Sequence, residues 1–158
     1  MQTDILILIG LTLLPFLELR ASIPYGILNT NLNWTVVFII CVITNIILAP
    51  LVYFFIDKII HLFFFIKPFK KLYYYYIERT QKKIHKYVEK YGEIGVAIFI
   101  GIPFPGSGVY SGALASYILG MSYKDFIKAA VIGVLIAGVI VTAISLTGNE
   151  AFKFFIKV

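Results

Sequence analysis

Cysteine, histidine and acid are all scarce in this chain. The one cysteine, Cys41, excludes an internal disulfide, and the two histidines belong to no cluster with metal-ligand spacing. There is no paired Asp motif, and no serine in an apolar segment has a histidine nearby. The chain is therefore read as a non-enzyme, with an intramembrane hydrolase as the weakest alternative and with neither metal nor cofactor called for. A basic stretch is also missing at the start: Met1-Gln2-Thr3-Asp4 has no charged n-region. No cleaved signal peptide is predicted, and the first apolar segment belongs to the mature protein.

Apolar residues fill the space. They make up 60% of 158 residues, with a mean hydropathy of +0.92. That composition is membrane-class, and the length suits a single membrane domain, 1–158. The net charge of +6 is uneven. Nine of the 14 Lys/Arg fall in residues 57–93, against four acids, Asp57, Glu78, Glu89 and Glu93. Between apolar spans such a patch marks a cytoplasmic loop beside anionic lipid rather than a nucleic-acid surface. Apolar and aromatic residues recur within it from Phe69 to Tyr91, which predicts a basic amphipathic helix on the cytoplasmic face, or else a solvated connector. His61 and His85 lie in this segment and are read as interfacial.

Four apolar stretches stand out, at about 5–17, 34–56, 94–119 and 126–147. Two are clean. Trp34 to Ile56 and Phe126 to Thr147 each cross about 30 Å of hydrocarbon as a helix, with Trp34 and Tyr123 as interfacial anchors and Lys128 able to snorkel. The last span carries the small-residue stripe Ala129, Gly133 and Ala137, read first as close packing within the fold and second as a dimer face. Asn45 is expected to hydrogen-bond across helices, with Thr44 as a second candidate, and Cys41 to be a small packing residue.

The other two stretches are broken. Ile5 to Leu17 is followed by Glu18, Arg20 and Pro24, leaving a short second arm from Ile23. Ile94 to Ile102 is followed by Pro103-Phe104-Pro105-Gly106-Ser107-Gly108, then a second arm from Val109 to Leu119. The prolines and glycines cannot continue a regular helix, and each arm is too short to cross. Two arrangements follow. Re-entrant hairpins place both chain ends outside; four kinked spans place both inside, an arrangement that Lys153 and Lys157 favour. Arm length favours the hairpins.

The predicted fold class is thus all-α integral membrane: two broken re-entrant hairpins plus two full transmembrane helices, in a weak inverted repeat. Residues 1–56 form the first half, 57–93 the basic connector and 94–158 the second half. The pairs Ile23-Pro24 and Ile102-Pro103 occupy similar places in the two halves. Broken helices in matching positions point to a transport site between the halves.

The breaks hold the candidate site residues. A charge inside the bilayer costs about 2.5–3.5 kcal/mol on insertion scales, so Glu18 and Arg20 need a partner, a cavity or a ligand path. Gly106-Ser107-Gly108 suits an anion-binding nest at a helix N-terminus, and Pro24 suits the first turn of a short helix in the other half. Ser107, Tyr110 and Ser111 offer hydroxyls, and Arg20 a guanidinium fork for phosphate. Glu18 is either a proton carrier or a structural counter-ion to Arg20. Residues two apart do not face each other on a helix, so a Glu18–Arg20 bridge requires irregular backbone.

Glu18-Leu19-Arg20-Ala21-Ser22-Ile23-Pro24-Tyr25-Gly26 resembles the Glu-x-Arg-x-x-Ile-Pro-x-Gly motif of the small multidrug export proteins. Ile102-Pro103-Phe104-Pro105-Gly106-Ser107-Gly108-Val109-Tyr110-Ser111-Gly112 resembles that family's second motif, with Ser107, Tyr110 and Ser111 in place of Thr, Trp and Thr. Tyr91-Gly92 also fits, and the resemblance covers nearly the whole chain. It implies a fold similar to the wider DedA-like superfamily, some of whose members move lipid phosphates between leaflets, with proton coupling proposed. The chain departs from the DedA pattern at Ser107-Gly108, where an arginine is usual; Arg20 is the candidate replacement.

The expected function is a small multi-pass transporter of the plasma membrane. It is proton-linked and moves an anionic or lipid-phosphate substrate or exports small molecules. The expected partners are membrane lipids, an anion or lipid head group, and protons, with homo-oligomerisation left open and no nucleic acid. The alternative is a non-transporting, membrane-organising or channel-like protein in which Glu18 and Arg20 are structural.

Overall fold

In a computed structural model, residues 2–15, 17–63, 91–103 and 106–156 are described. They form six helices and no strand: α1 (Gln2–Leu13), α2 (Glu18–Asn29), α3 (Trp34–Phe63), α4 (Tyr91–Gly101), α5 (Val109–Ile118) and α6 (Tyr123–Ile156). The predicted amphipathic helix, His85 and Pro105 lie outside the described residues.

Among the described residues only α3 and α6 are long and apolar enough to cross a membrane, over Trp34–Ile59 and Tyr123–Gly148. Their inward faces carry small or polar residues. On α3 the buried stripe is Val37, Cys41, Asn45, Ala49 and Val52; on α6 it is Ala130, Gly133, Val134, Ala137 and Val141. Large apolar side chains such as Ile43, Ile47, Leu51, Leu135, Val139 and Ile144 point outward. Small residues inside and large aliphatic ones outside suit a protein solvated by lipid, where close helix approach replaces the hydrophobic effect as the packing force. Gly133 shows that approach: a Cβ there would stand 2.7 Å from the Ala97 carbonyl of α4. The small-residue stripe of α6 is therefore engaged within the fold.

The four short helices form two hairpins. The Thr12 and Ser22 hydroxyls meet at 2.7 Å, and Gly26 lies against Leu8, so α2 runs back along α1. Gly26 also touches Val37, and Cys41 adjoins Ser22 and Thr12, which sets α1 parallel to α3. In the second half, Gly112 of α5 rests on Ile100 and Val96 of α4. Gly101 of α4 faces Ile136 of α6, so α4 runs parallel to α6. The two long helices are antiparallel, with Val42 beside Gly138 and the Tyr53 ring stacked on Phe126 at 5.1 Å. Each second arm crosses to the opposite half, α2 packing on α6 and α5 on α3.

This arrangement places the two hairpin tips at one level. Asn45, beside the first tip, lies about 17 Å along α3 from Trp34 and about 21 Å from Ile59. Gly133, beside the second, lies about 15 Å along α6 from Tyr123 and about 22 Å from Gly148. Both positions are near the middle of an apolar span.

Two local expectations are corrected. The first break is shorter than the charges imply: it covers 14–17, and α2 starts at Glu18 and includes Arg20. A helix can hold those charges because their heads meet backbone groups of the other hairpin. Pro24 is consequently inside α2, not in its first turn, whereas Pro103 lies in the second break; the Ile-Pro pairs are not equivalent. Pro24 removes the N–H that would reach the Arg20 carbonyl, and Pro50 does the same to Ile46 within α3.

Candidate functional site

The second break leaves two helix ends facing inward, and one side chain from α2 serves each. At α5, whose N-cap is Gly108, no side chain of its own caps the first turn. Glu18 does so instead. The Val109 N–H donates to its Oε2 at 3.1 Å and the Tyr110 N–H to its Oε1 at 3.3 Å. At α4 the exposed groups are carbonyls. Arg20 Nη2 donates to Ile100 O at 2.8 Å and Ile102 O at 3.2 Å, and to Ser107 O at 2.8 Å and Ser107 Oγ at 3.3 Å. The anion thus sits on a positive helix end and the cation on a negative one, the placement that complements both dipoles.

The two heads also pair, Arg20 Nη1 to Glu18 Oε2 at 3.1 Å. The irregular backbone this requires is present: Glu18 has φ +46°, in the left-handed region, the one non-glycine residue there among those described. Such a conformation costs on the order of 1–3 kcal/mol and persists where surrounding contacts over-determine it. Here those contacts are ample. Asn45 Nδ2 adds a fourth donor to Glu18 at 3.4 Å, and Glu18 is only 1% exposed, the one fully buried charged side chain among the described residues. Removing one member of such a buried pair costs about 3–5 kcal/mol.

The glycines of the loop have separate reasons. Gly106 has φ +86°, a left-handed turn with open space around it. Gly108 has an ordinary φ, but a Cβ there would collide with both carboxylate oxygens of Glu18. The amides that hold the anion are those of Val109 and Tyr110, one step beyond the expected Gly106–Gly108 nest. Ser107 Oγ donates to Ile102 O at 2.6 Å, and Ser111 Oγ to Gly108 O at 3.2 Å. The Tyr110 hydroxyl closes the other side by donating to Leu13 O, at the end of α1, at 2.6 Å. A cleft of about 40 Å³ lies between the tips, lined by Pro15, Glu18, Arg20, Gly106, Gly108, Tyr110 and Ser111. That volume has room for on the order of three waters.

The expected residues Glu18, Arg20, Gly106, Ser107, Gly108, Tyr110 and Ser111 thus come together at the meeting of the tips. Pro103 borders the same break, and Pro24 lies along α2 and not in the cleft lining. Asn45 makes the hydrogen bond across helices expected of it, and its partner, Glu18, brings it into the site; its signal was an amide in the middle of an otherwise apolar span. Pro15 lines the cleft through its place in the first break. Among the described residues no group of three or more His, Cys, Asp or Glu is placed to hold a metal ion.

Both hairpin motifs thereby meet at one structural location. The family described as "Putative small multi-drug export protein" matches residues 18–140, from Glu18 to about the middle of α6. The chain belongs to that family. The matched segment contains the buried ion pair, the second break, all of α3 and the first part of α6, and the small multidrug export family together with the two long apolar helices points to a membrane protein. No curated protein and no solved structure matches the chain.

Proposed function

We propose that this small multidrug export family member is a proton-linked transporter of the plasma membrane, with its translocation site where the two hairpin tips meet. In this reading the hairpins are re-entrant. Each short arm is about 15–18 Å long as a helix, half of what a bilayer demands. The hairpins enter from opposite faces in an inverted repeat similar to the DedA-like fold. The basic connector is cytoplasmic and both chain ends are outside. The protein is multi-pass, performs no covalent chemistry and needs no cofactor.

The observation that carries the proposal is the buried Glu18–Arg20 pair beside a cleft midway along both long helices. Non-helical backbone at that depth is tolerated where it lines a polar cavity, and broken helices with ends directed at the centre are the usual build of a transport site. Glu18 is the proton-accepting group. Arg20 and the α5 N-terminus are the contacts for an anionic substrate, either a small organic anion or a lipid phosphate.

A second reading has its own observation. Every polar atom of Glu18 and Arg20 except Arg20 Nε already has a protein partner. The pair would then only fasten the hairpins, in a membrane-organising or channel-like protein. Proteoliposomes separate the two. Movement of fluorescent phospholipid between leaflets, and efflux of small organic anions, are followed under an imposed pH gradient. Transport predicts loss of at least one flux in Glu18→Gln and Arg20→Ala. Equal flux from wild type and both variants, with only their stability lowered, establishes the structural reading.

A further inference from the structure

We infer that the Glu18 carboxylate is a tethered stand-in for the substrate's anionic group, so that an anion enters the site only as Glu18 takes up a proton and withdraws. This rests on the transport reading above and adds its coupling rule. The carboxylate occupies what a free carboxylate or phosphate oxygen would seek: two backbone N–H groups at a helix N-terminus, one arginine N–H and one amide N–H. It is pressed against Gly108, where no Cβ intervenes. The cleft that reaches this point is lined by Glu18 itself and by Arg20, Gly108 and Tyr110.

A second, independent feature lies on α3. Asn45 is fully buried and turns Nδ2 to Glu18, while its Oδ1 has no partner. Buried polar oxygens without a donor are rare. A protonated Glu18 provides the missing donor: once the Asn45 amide rotates, its oxygen accepts the carboxylic O–H. Asn45 therefore fits both protonation states of Glu18, as donor to one and acceptor from the other.

Charge balance makes the exchange obligatory. In the present state one buried anion faces one buried cation. Protonation alone would leave Arg20 unpaired, and anion entry alone would set two negative groups on one helix end. Proton and anion arriving together restore the balance, so each raises the affinity for the other. Among the described residues no other charged group enters the account, and the charges of α3, Asp57 and Lys58, lie about three turns beyond Asn45. Glu18 faces Arg20 on its own helix, Asn45 on α3 and Tyr110 on α5, whose hydroxyl is engaged with Leu13 O. The titratable Cys41 of α3 adjoins Ser22 and Thr12. From α1 the charged residue is Asp4, in the first turn; from α4, Glu93, near its start and paired with Lys128. α6 carries its charges near its ends, at Lys124, Asp125 and Lys128 and again at Glu150 and Lys153. The withdrawal also relieves the left-handed backbone at Glu18.

The probe is dimethyl phosphate, a monoanion that does not titrate near neutral pH, added to the full chain in phosphatidylcholine nanodiscs. Calorimetry in two buffers of different ionisation enthalpy counts protons. Wild type is expected to take up close to one proton per anion and to bind about tenfold tighter per unit fall in pH. Glu18→Gln is expected to bind tighter than wild type at neutral pH with a flat pH profile. Anion binding by wild type without proton uptake, no anion binding at all, or a folded Glu18→Gln that binds no tighter, overturns the inference. If that variant does not fold, the wild-type proton count alone decides. Competition by phosphatidylglycerol in the nanodisc identifies a lipid head group as the natural anion, and its absence a soluble one; either accompanies the expected proton uptake. Flux that depends on Glu18 and Arg20 without proton-linked anion binding defeats this inference and leaves the transport reading standing. Flux indifferent to both residues defeats the transport reading itself.

Discussion

The Glu18 carboxylate accepts the backbone N–H of Val109 at 3.1 Å across 91 residues of chain. That contact joins the first break to the second. Together with Arg20 it places one charge from α2 on each end of the interrupted α4–α5 hairpin, and it is the source of the site's main vulnerabilities.

Glu18→Ala leaves Arg20 buried without its counter-ion and the first turn of α5 without an acceptor. A loss of about 3–5 kcal/mol is expected. Thermal unfolding of the detergent-solubilised protein checks it. Coupling between the two sites is expected too: Glu18→Gln with Arg20→Gln should cost less than the two single changes summed, because neither charge is then left alone. Strict additivity would mean that the pair contributes nothing as a pair.

Gly108→Ala and Gly106→Ala lie two residues apart and are expected to fail differently. At Gly108 the backbone accepts alanine but the space does not, so the methyl displaces Glu18 and costs about 1–3 kcal/mol, with altered transport. At Gly106 the space is open and the backbone angle is at fault, for about 1–2 kcal/mol with Glu18 undisturbed. Flux compared with unfolding midpoint in both variants tests the distinction: only Gly108→Ala should lower flux beyond what its stability explains.

Asn45→Leu should be close to neutral for stability, within about 1 kcal/mol. It removes a long 3.4 Å hydrogen bond but also a buried oxygen that has no donor. Unfolding curves measure the first effect. A large loss, on the order of 3 kcal/mol, would show that Asn45 Oδ1 has a partner such as an ordered water.

Labelling from one side of the membrane decides the hairpin arrangement. With Cys41 replaced by serine, single cysteines at Gln2 and Asn31 should react from the same side, and one at Ser122 from the opposite side. A full crossing by α1 and α2 together would put Gln2 and Asn31 on opposite sides. The native Cys41 thiol, fully buried against Ser22 and Thr12, should stay unreactive until the protein unfolds.

Composition and periodicity by themselves determined that the chain is helical, that it belongs in lipid, and which two segments are long enough to span it. Those properties are local: a run of apolar residues, or a proline that cannot donate, has the same consequence wherever the chain goes next. The breaks were legible for the same reason, and the motif around each pointed to Glu18, Arg20, Gly106, Ser107, Gly108, Tyr110 and Ser111, though not to Val109. Tertiary structure alone decided what those residues do. Whether Glu18 begins α2 or interrupts it depends on donors from Val109 and Tyr110, which are remote in sequence. Whether Gly108 is needed for its backbone or for its missing Cβ depends on a carboxylate from the other half. The unpaired oxygen of Asn45 likewise exists only because α3 brings that amide to the tip of the first hairpin.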